Sequence, residues 1–303
     1  MKTNLGELSI LIPTYNHNCT VLVRHLQQQA ELLGIPYEIL VADDGSTENV
    51  SVEENKLIDT LPNCRYIIRT ENVGRAAIRN FLCRESQYQW VLYIDSDMTV
   101  ESEAFLSRYV EQQQANSSVA VVDGGVSIGG NQAQLKHNLR YLYEKSAEPD
   151  HVVARRQQRP YHDIHTANLM VRRDVMCQHP FDERFRHYGY EDVLFGIRMK
   201  QQRIGIRHID NPLGFNTFES NADFVSKTEE GLRTLYEFRS ELRGYSRMLT
   251  LVDGIHLKAV KGLIRLWHAV AGGMERRMLV SRHPILGLFK LYKLGYYLSI
   301  DKH

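Results

Sequence analysis

The sequence has few cysteines and no long apolar run, and both absences exclude classes of protein. Its 303 residues include four cysteines and no Cys-x-x-Cys pair, so neither a cysteine-based zinc site nor a disulfide framework is expected. No stretch reaches the roughly 18 uninterrupted apolar residues that a membrane-spanning helix needs. The first residues, MKTNLGELSILIP, lack the basic start and the long apolar segment of a signal peptide. These features predict a cytoplasmic location.

The sequence also lacks an overall excess of charge. It has 37 Lys and Arg against 36 Asp and Glu, a formal net charge of +1, so the chain as a whole is not expected to bind nucleic acid. The tail differs, because residues 241–303 hold eleven Lys and Arg and four Asp and Glu, with apolar and aromatic residues between them. Such helices either pack with a basic solvated face or form an amphipathic surface that rests on an anionic membrane. We favour peripheral contact with the inner face of a membrane.

Short apolar segments alternate with helical patterns through the first half of the chain. Helical spacing over residues 20–33 predicts a helix that ends at Gly34, and NVGRAAIRNFLCRE predicts another with Asn72 as its candidate cap. Alternation of this kind predicts a single, mostly parallel sheet flanked by helices. The predicted strands are ELSILIPTYN, YEILVADDGST, CRYIIRT, WVLYI and SVAVVDGGV.

Carboxylates follow several of these segments, at the point where each predicted strand ends. Asp95 and Asp97 follow WVLYI and lie on the same side of an extended chain, and Asp43 and Asp44 follow YEILVA. Ligands bind beyond the carboxyl ends of the strands in open sheets of this kind. Carboxylates so close repel each other unless a cation, such as a divalent metal, offsets their charge. An acid at a strand end can also be only a turn former or a helix cap, and for DDGST alone that is the favoured interpretation.

Arg75 and Arg79 supply positive charge for these acids. They stand four residues apart, on one face of the predicted helix. Arginine suits diphosphate oxygens because its guanidinium donates two hydrogen bonds at once. The first half of the chain therefore predicts a site for a nucleoside diphosphate and a metal.

Four of these segments, SILIPTYN, ILVADDGST, NVGRAAIRN and YIDSDM, together resemble the motifs of glycosyltransferase family 2 on the GT-A fold, a Rossmann-like fold of nucleotide-sugar transferases. They cover about the first hundred residues. The resemblance implies an inverting transferase with a nucleotide-activated sugar as donor, UDP as the expected nucleotide, and Mn²⁺ or Mg²⁺ as cofactor. It implies donor-binding roles for Pro13, Thr14, Tyr15, Asp43, Asp44, Arg75, Arg79, Asp95 and Ser96, and metal-binding roles for Asp95 and Asp97.

Two segments of the second half resemble the acceptor side of the same family. HTANLMVRRDVM predicts an apolar strand followed by a short polar turn, with Asn168 as a candidate acceptor-binding residue, although an ordinary strand with polar caps explains it equally well. In HYGYEDVLFGIR, residues 188–190 predict a bend, and Glu191 and Asp192 begin a helix. The helix dipole stabilises acids in a first turn in any case. The segment also resembles a glycine-turn-ED element of this family and of galactosyltransferase-like relatives.

The second resemblance implies roles in the acceptor half of the reaction. Asp192 is the expected catalytic base, while Glu191 and Tyr190 are expected to contact the acceptor. An acceptor hydroxyl must lose its proton as it attacks the anomeric carbon, and a carboxylate within hydrogen-bond reach can accept that proton. Attack from the face opposite the leaving diphosphate predicts inverted stereochemistry.

One position departs from the family pattern. Relatives commonly place a metal-binding histidine a few residues after IDNP, and here the matching position holds Phe215. His208 and Asn216 are nearby, but we expect His208 to be a buried or capping histidine rather than a ligand. The departure leaves open whether metal binding is weaker here, because water can fill a vacant position on Mg²⁺ or Mn²⁺. The prediction of a nucleotide site is unaffected.

The sequence predicts a GT-A catalytic domain over residues 1–240, with a nucleotide-binding half (1–125) and an acceptor half (126–240), followed by a basic amphipathic helical extension (241–303). The predicted function is transfer of a hexosyl or N-acetylhexosaminyl group to a hydroxyl of a glycan or lipid-linked acceptor, in bacterial cell-surface polysaccharide synthesis. A non-catalytic nucleotide-sugar-binding protein is one alternative, which Phe215 favours. The other is a sugar nucleotidyltransferase, which would need a glycine-rich basic loop where the chain has IPTYNHN.

Overall fold

The structure, a computed structural model, describes residues 6–115 and 119–300. Within these residues the chain forms one sheet of seven strands and one of three. In chain order the strands are β1 (Leu8–Thr14), β2 (Tyr37–Asp43), β3 (Cys64–Ile68), β4 (Trp90–Ile94), β5 (Met98–Thr99), β6 (Val121–Asp123), β7 (Val126–Ile128), β8 (Asn168–Arg172), β9 (Ile206–His208) and β10 (Leu213–Phe215).

Helices account for most of the remaining described chain, and a short 3₁₀ helix, Lys56–Thr60, follows the second of them. The α-helices are α1 (Thr20–Leu33), α2 (Asn49–Asn55), α3 (Arg75–Glu85), α4 (Phe105–Ala115), α5 (Gln132–Leu135), α6 (Leu139–His151), α7 (Val153–Gln158), α8 (Arg173–Gln178), α9 (Glu191–Gln201), α10 (Asn221–Glu237), α11 (Arg239–Leu242), α12 (Arg247–Gly254), α13 (Lys258–Leu279) and α14 (Leu286–Ile300). The predicted C-terminal helices are therefore confirmed. Among the described helices, none is long and apolar enough to cross a membrane.

The seven-stranded sheet has the order β3-β2-β1-β4-β8-β6-β9. Strands β1 to β4 are parallel, β8 is antiparallel to both of its neighbours, and β9 is parallel to β6. The prediction of a mostly parallel sheet flanked by helices is confirmed. The sequence patterns did not indicate the small sheet, in which β10 lies between β5 and β7.

The central strands are buried on both faces, which explains why they read as continuous apolar runs. All five residues of β4 are buried, and in β1 every residue except Pro13 is buried. Each buried Leu or Ile contributes about 2 kcal/mol by leaving water. Helix α1 has the predicted bounds, and Gly34 ends it in the left-handed conformation, with a φ of 62°.

The predicted cap of the next helix in NVGRAAIRN is wrong. Helix α3 begins at Arg75, and its N-cap is Gly74 rather than Asn72. The reason lies outside the segment, because the Asp44 carboxylate accepts the backbone N–H groups of Val73 and Gly74 at 3.0 Å each. A side chain from the end of β2 therefore fixes the loop that leads into α3.

The predicted fifth strand, SVAVVDGGV, is two short strands in different sheets, and its first residue, Ser118, lies outside the described residues. The break follows Asp123, whose Oδ1 accepts a hydrogen bond from Arg156 Nη1 at 2.6 Å. Arg156 Nη2 also donates to the Gly124 carbonyl at 3.3 Å. Gly125 has a φ of 83°, and a Cβ there would lie 2.6 Å from Arg156 Nη2. A buried guanidinium thus occupies the place where a continuous strand would run.

The chain divides into two compact units. The first contains both sheets, and its core includes Leu11, Leu40, Tyr93 and Val171. The second has a core that includes Phe224, Leu279 and Phe289. The units comprise Met1–Gly129, Asp150–Arg186 and Phe195–Asn216 in the first, and Gly130–Pro149, His187–Leu194 and Thr217–His303 in the second. The domain boundaries at residues 125 and 240 stay predictions.

Candidate active site

The carboxyl ends of β1, β2 and β4 lie side by side at one edge of the large sheet. Thr14 and Asp43, the last residues of β1 and β2, are paired in register. The Asp44 N–H donates to the Thr14 carbonyl at 2.9 Å. On its other side β1 pairs with β4, which leads directly into Asp95. The strand-end residues singled out in the sequence therefore share this edge of the first unit.

The two acids that follow β2 hold the surrounding loops. Asp43 accepts hydrogen bonds from the Ser46 N–H and the Tyr66 hydroxyl, both at 2.6 Å. Burial raises the pKa of Asp44, although the two backbone N–H groups before α3 oppose this. Turn-forming and capping roles are therefore real for both acids, and they shape the loops at this edge. Tyr66, at the middle of β3, gave no signal in the sequence beyond its place in a strand.

Asn16 also belongs to this edge, and the sequence patterns missed it. Its Oδ1 accepts from the backbone N–H groups of Thr47 and Glu48 at 2.8 and 3.0 Å, and its own N–H donates to Ser46 Oγ at 2.7 Å. Its φ is 50°, a left-handed conformation that Asn adopts more readily than most residues. These bonds tie the loop after β1 to the loop after β2. The available signal was an Asn at the end of the predicted strand, in PTYN.

The other predicted donor-binding residues of the first strand differ in exposure. Thr14 is buried and its hydroxyl donates to the His17 carbonyl at 3.0 Å. Tyr15 is 48% exposed, while Pro13 and Ser96 are half-buried. The exposed ring of Tyr15 is therefore the member of this set most open to a ligand.

The Asp95 carboxylate joins two arginines of α3. Arg75 Nη2 donates to Oδ2 at 3.0 Å, and Arg79 Nη2 donates to Oδ1 at 2.6 Å. Burial opposes the ionisation of Asp95, but the two guanidinium groups outweigh it and hold its pKa below the usual range. The Arg79 side chain is 1% exposed, whereas that of Arg75 is 42% exposed. Of the two arginines, Arg75 is therefore the one that a phosphate can reach without disruption of the fold.

The pKa of Asp97, two residues further along the chain, is shifted in the opposite direction. Burial and the charge of Asp95 raise its pKa, and Arg75 and His17 offset this in part. In the part of the chain that the structure describes, no group of three or more His, Cys, Asp or Glu side chains is arranged to hold a metal. Asp97 nevertheless suits a cation, since a positive charge beside it would stabilise its ionised form.

Phe215 lies beside these carboxylates. It pairs in register with Met98, the residue after Asp97, where β10 meets β5. Its ring is 8% exposed, and a phenyl ring offers no lone pair to a metal. His208 is buried at β9, where its Nδ1 lies 3.1 Å from Arg156 Nη1, so the expectation of a buried histidine is confirmed. A metal here would need phosphate oxygens and water to complete its shell.

Asn168 begins β8 and is fully buried. Its Nδ2 donates to the carbonyls of Gly125 and Asn211 at 2.8 Å each, and its Oδ1 accepts from the Tyr109 hydroxyl at 2.7 Å. Both amide hydrogens are therefore occupied within the protein. A bond from them to an acceptor would require breaking one of these contacts. The polar turn expected after this strand is a helix instead, α8.

The predicted base lies in the second unit, at the start of α9. The bend before it is present, since Gly189 and Tyr190 have φ values of 94° and 73°. Glu191 is 4% exposed, while Asp192 is half-buried and its Oδ1 accepts the Val193 N–H at 2.7 Å. Burial raises the pKa of Tyr190, and the nearby Tyr143 and Asp192 add to this. A left-handed conformation at a non-glycine residue costs energy, and such residues concentrate at functional sites.

A family model described as "Glycosyl transferase family 2" matches residues 9–178 of this chain. The match runs from the second residue of β1 to the end of α8, and it includes the strand-end acids and both arginines of α3.

Similar proteins include synthases of polysaccharides. The chain is 26% identical to chondroitin synthase of Escherichia coli over 250 residues, which cover 70% of this chain and 35% of that protein. It is 24% identical to chondroitin synthase of Pasteurella multocida over 295 residues, 86% of this chain and 30% of that protein. The chain thus spans about a third of the length of these relatives.

Solved structures share the fold. TarS 1–349 of S. aureus, in complex with UDP-GlcNAc, has a TM-score of 0.52 at 16% identity, covering 98% of this chain and 90% of that one. The mannosyltransferase PcManGT of Pyrobaculum calidifontis, in complex with GDP-Man and Mn²⁺, has a TM-score of 0.54 at 13% identity, covering 98% and 88%. At such identities the likeness establishes the fold, and the predicted α/β fold class is confirmed.

Proposed function

The chain belongs to glycosyl transferase family 2, and from this premise we propose that it moves a sugar from a UDP-sugar to a hydroxyl of a growing glycan or lipid-linked acceptor. The observation that carries the proposal is the charge pattern after β4. Asp95 is held ionised by two arginines, while Asp97 beside it has a raised pKa. That pattern suits a cation and a polyanion together.

The donor would lie at the edge formed by the ends of β1, β2 and β4. Tyr15, at 48% exposure, suits contact with the base, and Asp43 and Asp44 shape the loop that would receive the ribose. Arg75 would bind the diphosphate with the donors that its exposed side chain presents. Arg79 acts through Asp95, whose position it fixes from the interior.

Asp97 is the protein ligand best suited to a divalent ion, with Asp95 as a second where its arginines leave an oxygen lone pair. An ion held there, Mn²⁺ or Mg²⁺, would neutralise the negative charge that grows on the leaving diphosphate. Because Phe215 supplies no ligand, we expect the ion to bind together with the nucleotide rather than before it.

Asp192 is the proposed general base. Its partial exposure favours it over Glu191, which is 4% exposed. As the acceptor oxygen bonds to the anomeric carbon, its proton passes to the Asp192 carboxylate, and the bond from that carbon to the diphosphate oxygen breaks with its electron pair. A single displacement of this kind inverts the anomeric configuration.

The relatives support polysaccharide synthesis as the setting. The relatives named above are chondroitin synthases, and TarS was solved in complex with UDP-GlcNAc. We propose a hexose or N-acetylhexosamine as the transferred sugar and a bacterial cell-surface polysaccharide as the product.

The test is donor turnover. Purified protein with Mn²⁺ and each of several UDP-sugars, and with GDP-mannose as a second nucleotide, should release nucleoside diphosphate slowly in the absence of acceptor and faster with the right glycan. Proton NMR of the product should show the anomeric configuration inverted relative to the donor.

Two outcomes would overturn the proposal. Formation of a nucleotide sugar and pyrophosphate from a nucleoside triphosphate and a sugar phosphate would indicate a nucleotidyltransferase. Tight binding of UDP-sugar with no turnover for any acceptor glycan would indicate a binding protein.

We also propose that the C-terminal helices contact a membrane. Helix α13 exposes a stripe of apolar side chains at helical spacing, which we call the α13 stripe: Val260, Leu263, Leu266, Trp267, Val270, Met274 and Met278, between 38% and 80% exposed. Residues 241–303, which include it, carry eleven Lys and Arg and four Asp and Glu. An apolar stripe within a basic region suits the interface of an anionic lipid bilayer, and the same charge opposes the pairing of two copies.

A further inference from the structure

A cavity of about 440 Å³ in the second unit has a strong excess of positive charge, and helices α10 to α14 line it. Its charged lining is Arg239, Arg243, Asp253, Lys258, Lys261 and Arg265. Arg243 lies 3.1 Å from the Asp253 carboxylate. The lining therefore holds five cations against one acid, and that acid is already paired.

Two of the arginines are held at the wall by backbone carbonyls. Arg239 Nη1 donates to the Tyr236 carbonyl at 2.7 Å, and Arg265 Nε donates to the Leu298 carbonyl at 2.8 Å. Each contact fixes one guanidinium group against the wall of the cavity. Preorganised arginines of this kind lose little entropy when an anion binds.

The lysines of α13 complete the site. Lys258 and Lys261 lie one turn apart and both line the cavity. Neither makes an ion pair within the described residues. Cations that outnumber the acids around them repel one another, so a bound anion is favoured.

Part of the wall is apolar and aromatic. The rings of Tyr236 and Tyr297 have centroids 6.0 Å apart at an interplanar angle of 63°. Leu249 and Leu298 lie in the same lining. A ligand that fits both parts carries an anionic group joined to an apolar or ring-bearing body. The volume lies within the range of about 300–1,000 Å³ that small-molecule sites occupy.

We infer that this cavity is a second ligand site, which takes a diphosphate ester. A single carboxylate would offset one of the surplus positive charges, whereas a diphosphate offsets more of them and offers more oxygens to the arginines. The ester carbon chain or ring would lie against the tyrosines and leucines. The inference rests on the proposed function, and it assigns the ligand as the diphosphate end of a lipid-linked acceptor. A free nucleoside diphosphate carries the same diphosphate group and is the alternative ligand.

The experiment measures binding of inorganic pyrophosphate to the full chain by calorimetry. The Asp97→Asn variant, without metal, serves as the background, because the proposed donor site at the edge of the large sheet binds its diphosphate together with a metal ion that this variant cannot hold. In this background we expect binding to persist. The further change of Lys258→Glu and Lys261→Glu should weaken it at least tenfold. Lys290→Glu, at an exposed position of α14 outside the cavity lining, is the control and should leave it unchanged.

Lysine acetylation followed by mass spectrometry localises the site independently of any fold defect in the variants. In the protein without substitutions, pyrophosphate should protect Lys258 and Lys261 from acetylation and leave Lys290 reactive. If pyrophosphate changed the acetylation of none of these three lysines, the inference would be overturned. This readout requires no turnover, so its failure is distinguishable from a failure of the transferase proposal.

Farnesyl diphosphate and UDP serve as two further probes, which distinguish a lipid-linked diphosphate from a free nucleotide as the ligand. Farnesyl diphosphate, a short lipid diphosphate, should protect both lysines at lower concentration than UDP if the ester belongs to a lipid-linked acceptor. Stronger protection by UDP would assign the cavity to a nucleotide and overturn the lipid assignment, and no protection by either would overturn the site.

Discussion

Asp95 and Asp97 are separated by one residue, yet their pKa values are shifted in opposite directions. Two guanidinium groups hold Asp95 ionised, and burial and that same negative charge raise the pKa of Asp97. The sequence DSD predicted that a cation must offset both charges. The structure shows that arginine meets this need at Asp95, and the remaining need is concentrated on Asp97. The local sequence cannot distinguish the two acids, because Arg79 reaches Asp95 from another element.

Asp97→Asn should stabilise the metal-free protein and weaken donor binding. An acid whose pKa is raised in the folded state destabilises the fold at pH values above that pKa, and the penalty disappears below the ordinary pKa of an aspartate. Urea unfolding at pH 7 should therefore show a gain on the order of 1 kcal/mol, as for other stabilising changes at active sites. The gain should vanish as the pH falls to the ordinary pKa of aspartate. Release of UDP from the donor should fall at least about tenfold.

Asp95→Asn is the matched comparison and should act in the opposite direction. Its pKa is lowered in the folded state, so its contribution is present at neutral pH and is lost as the pH falls through that lowered pKa. Removal of the charge leaves the buried Arg79 without its carboxylate, at a cost of about 3–5 kcal/mol. Stabilisation by both variants, or by neither, would contradict the assignment.

Asp192→Asn should abolish transfer while leaving the donor site intact. Loss of a general base lowers turnover by about 10²- to 10⁴-fold, and UDP affinity should stay within about twofold because the donor residues lie in the first unit. Glu191→Gln, one residue away on the same helix, is the control and should lower turnover less. Undiminished transfer by the Asp192→Asn variant would remove it as the base.

Individual helices and strands show where sequence patterns succeed and where they fail. Helix α1 was predictable to the residue because both of its signals, apolar spacing and Gly34, are local. The start of α3 was not, because the Asp44 carboxylate sets it from 30 residues away. Likewise Arg156, from α7, separates β6 from β7. Long-range polar contacts therefore decided the boundaries that apolar periodicity could not.

Helix α13 is the element on which the membrane proposal can be tested. The change Leu263→Gln with Val270→Gln removes two side chains of the α13 stripe that are 65% and 80% exposed. Each apolar side chain contributes about 1.5 kcal/mol to insertion, so binding to anionic phospholipid vesicles in a sedimentation assay should weaken at least about tenfold. Leu32→Gln, at an 86% exposed position of α1, is the control and should have no effect.

Trp267 reports the same event directly. The chain has two tryptophans, of which Trp90 is 8% exposed and Trp267 is 51% exposed. Emission from Trp267 should shift to shorter wavelength with anionic vesicles and much less with neutral ones. Equal binding to both kinds of vesicle, or a dimer in sedimentation velocity that the double variant dissociates, would contradict the proposal.

At the scale of the whole chain, the sequence predicted the fold class and the basic tail but not the division into units. The second unit is assembled from three separate stretches of chain, and one of them, His187–Leu194, contains the predicted base. No local sequence pattern signals such an arrangement, because the packing of apolar residues distant in sequence defines it. Asn168 illustrates the same limit at a single position, since its burial depends on Tyr109 and Asn211.

Metal removal provides the test that involves the whole molecule. A ligand that binds only the folded chain stabilises it, by about 2.7 kcal/mol at a hundredfold excess over its dissociation constant. UDP with Mn²⁺ should therefore raise the melting temperature. EDTA should remove most of that rise, because we propose that the metal and the nucleotide bind together. Phe215 supplies no ligand, so the metal would be held by Asp97 and by the diphosphate. Hydrogen exchange should show the added protection in the loops after β1, β2 and β4 of the first unit. If the UDP-dependent rise were unchanged by EDTA and by Asp97→Asn, the donor would bind without a metal, and the role assigned to Asp97 would be wrong.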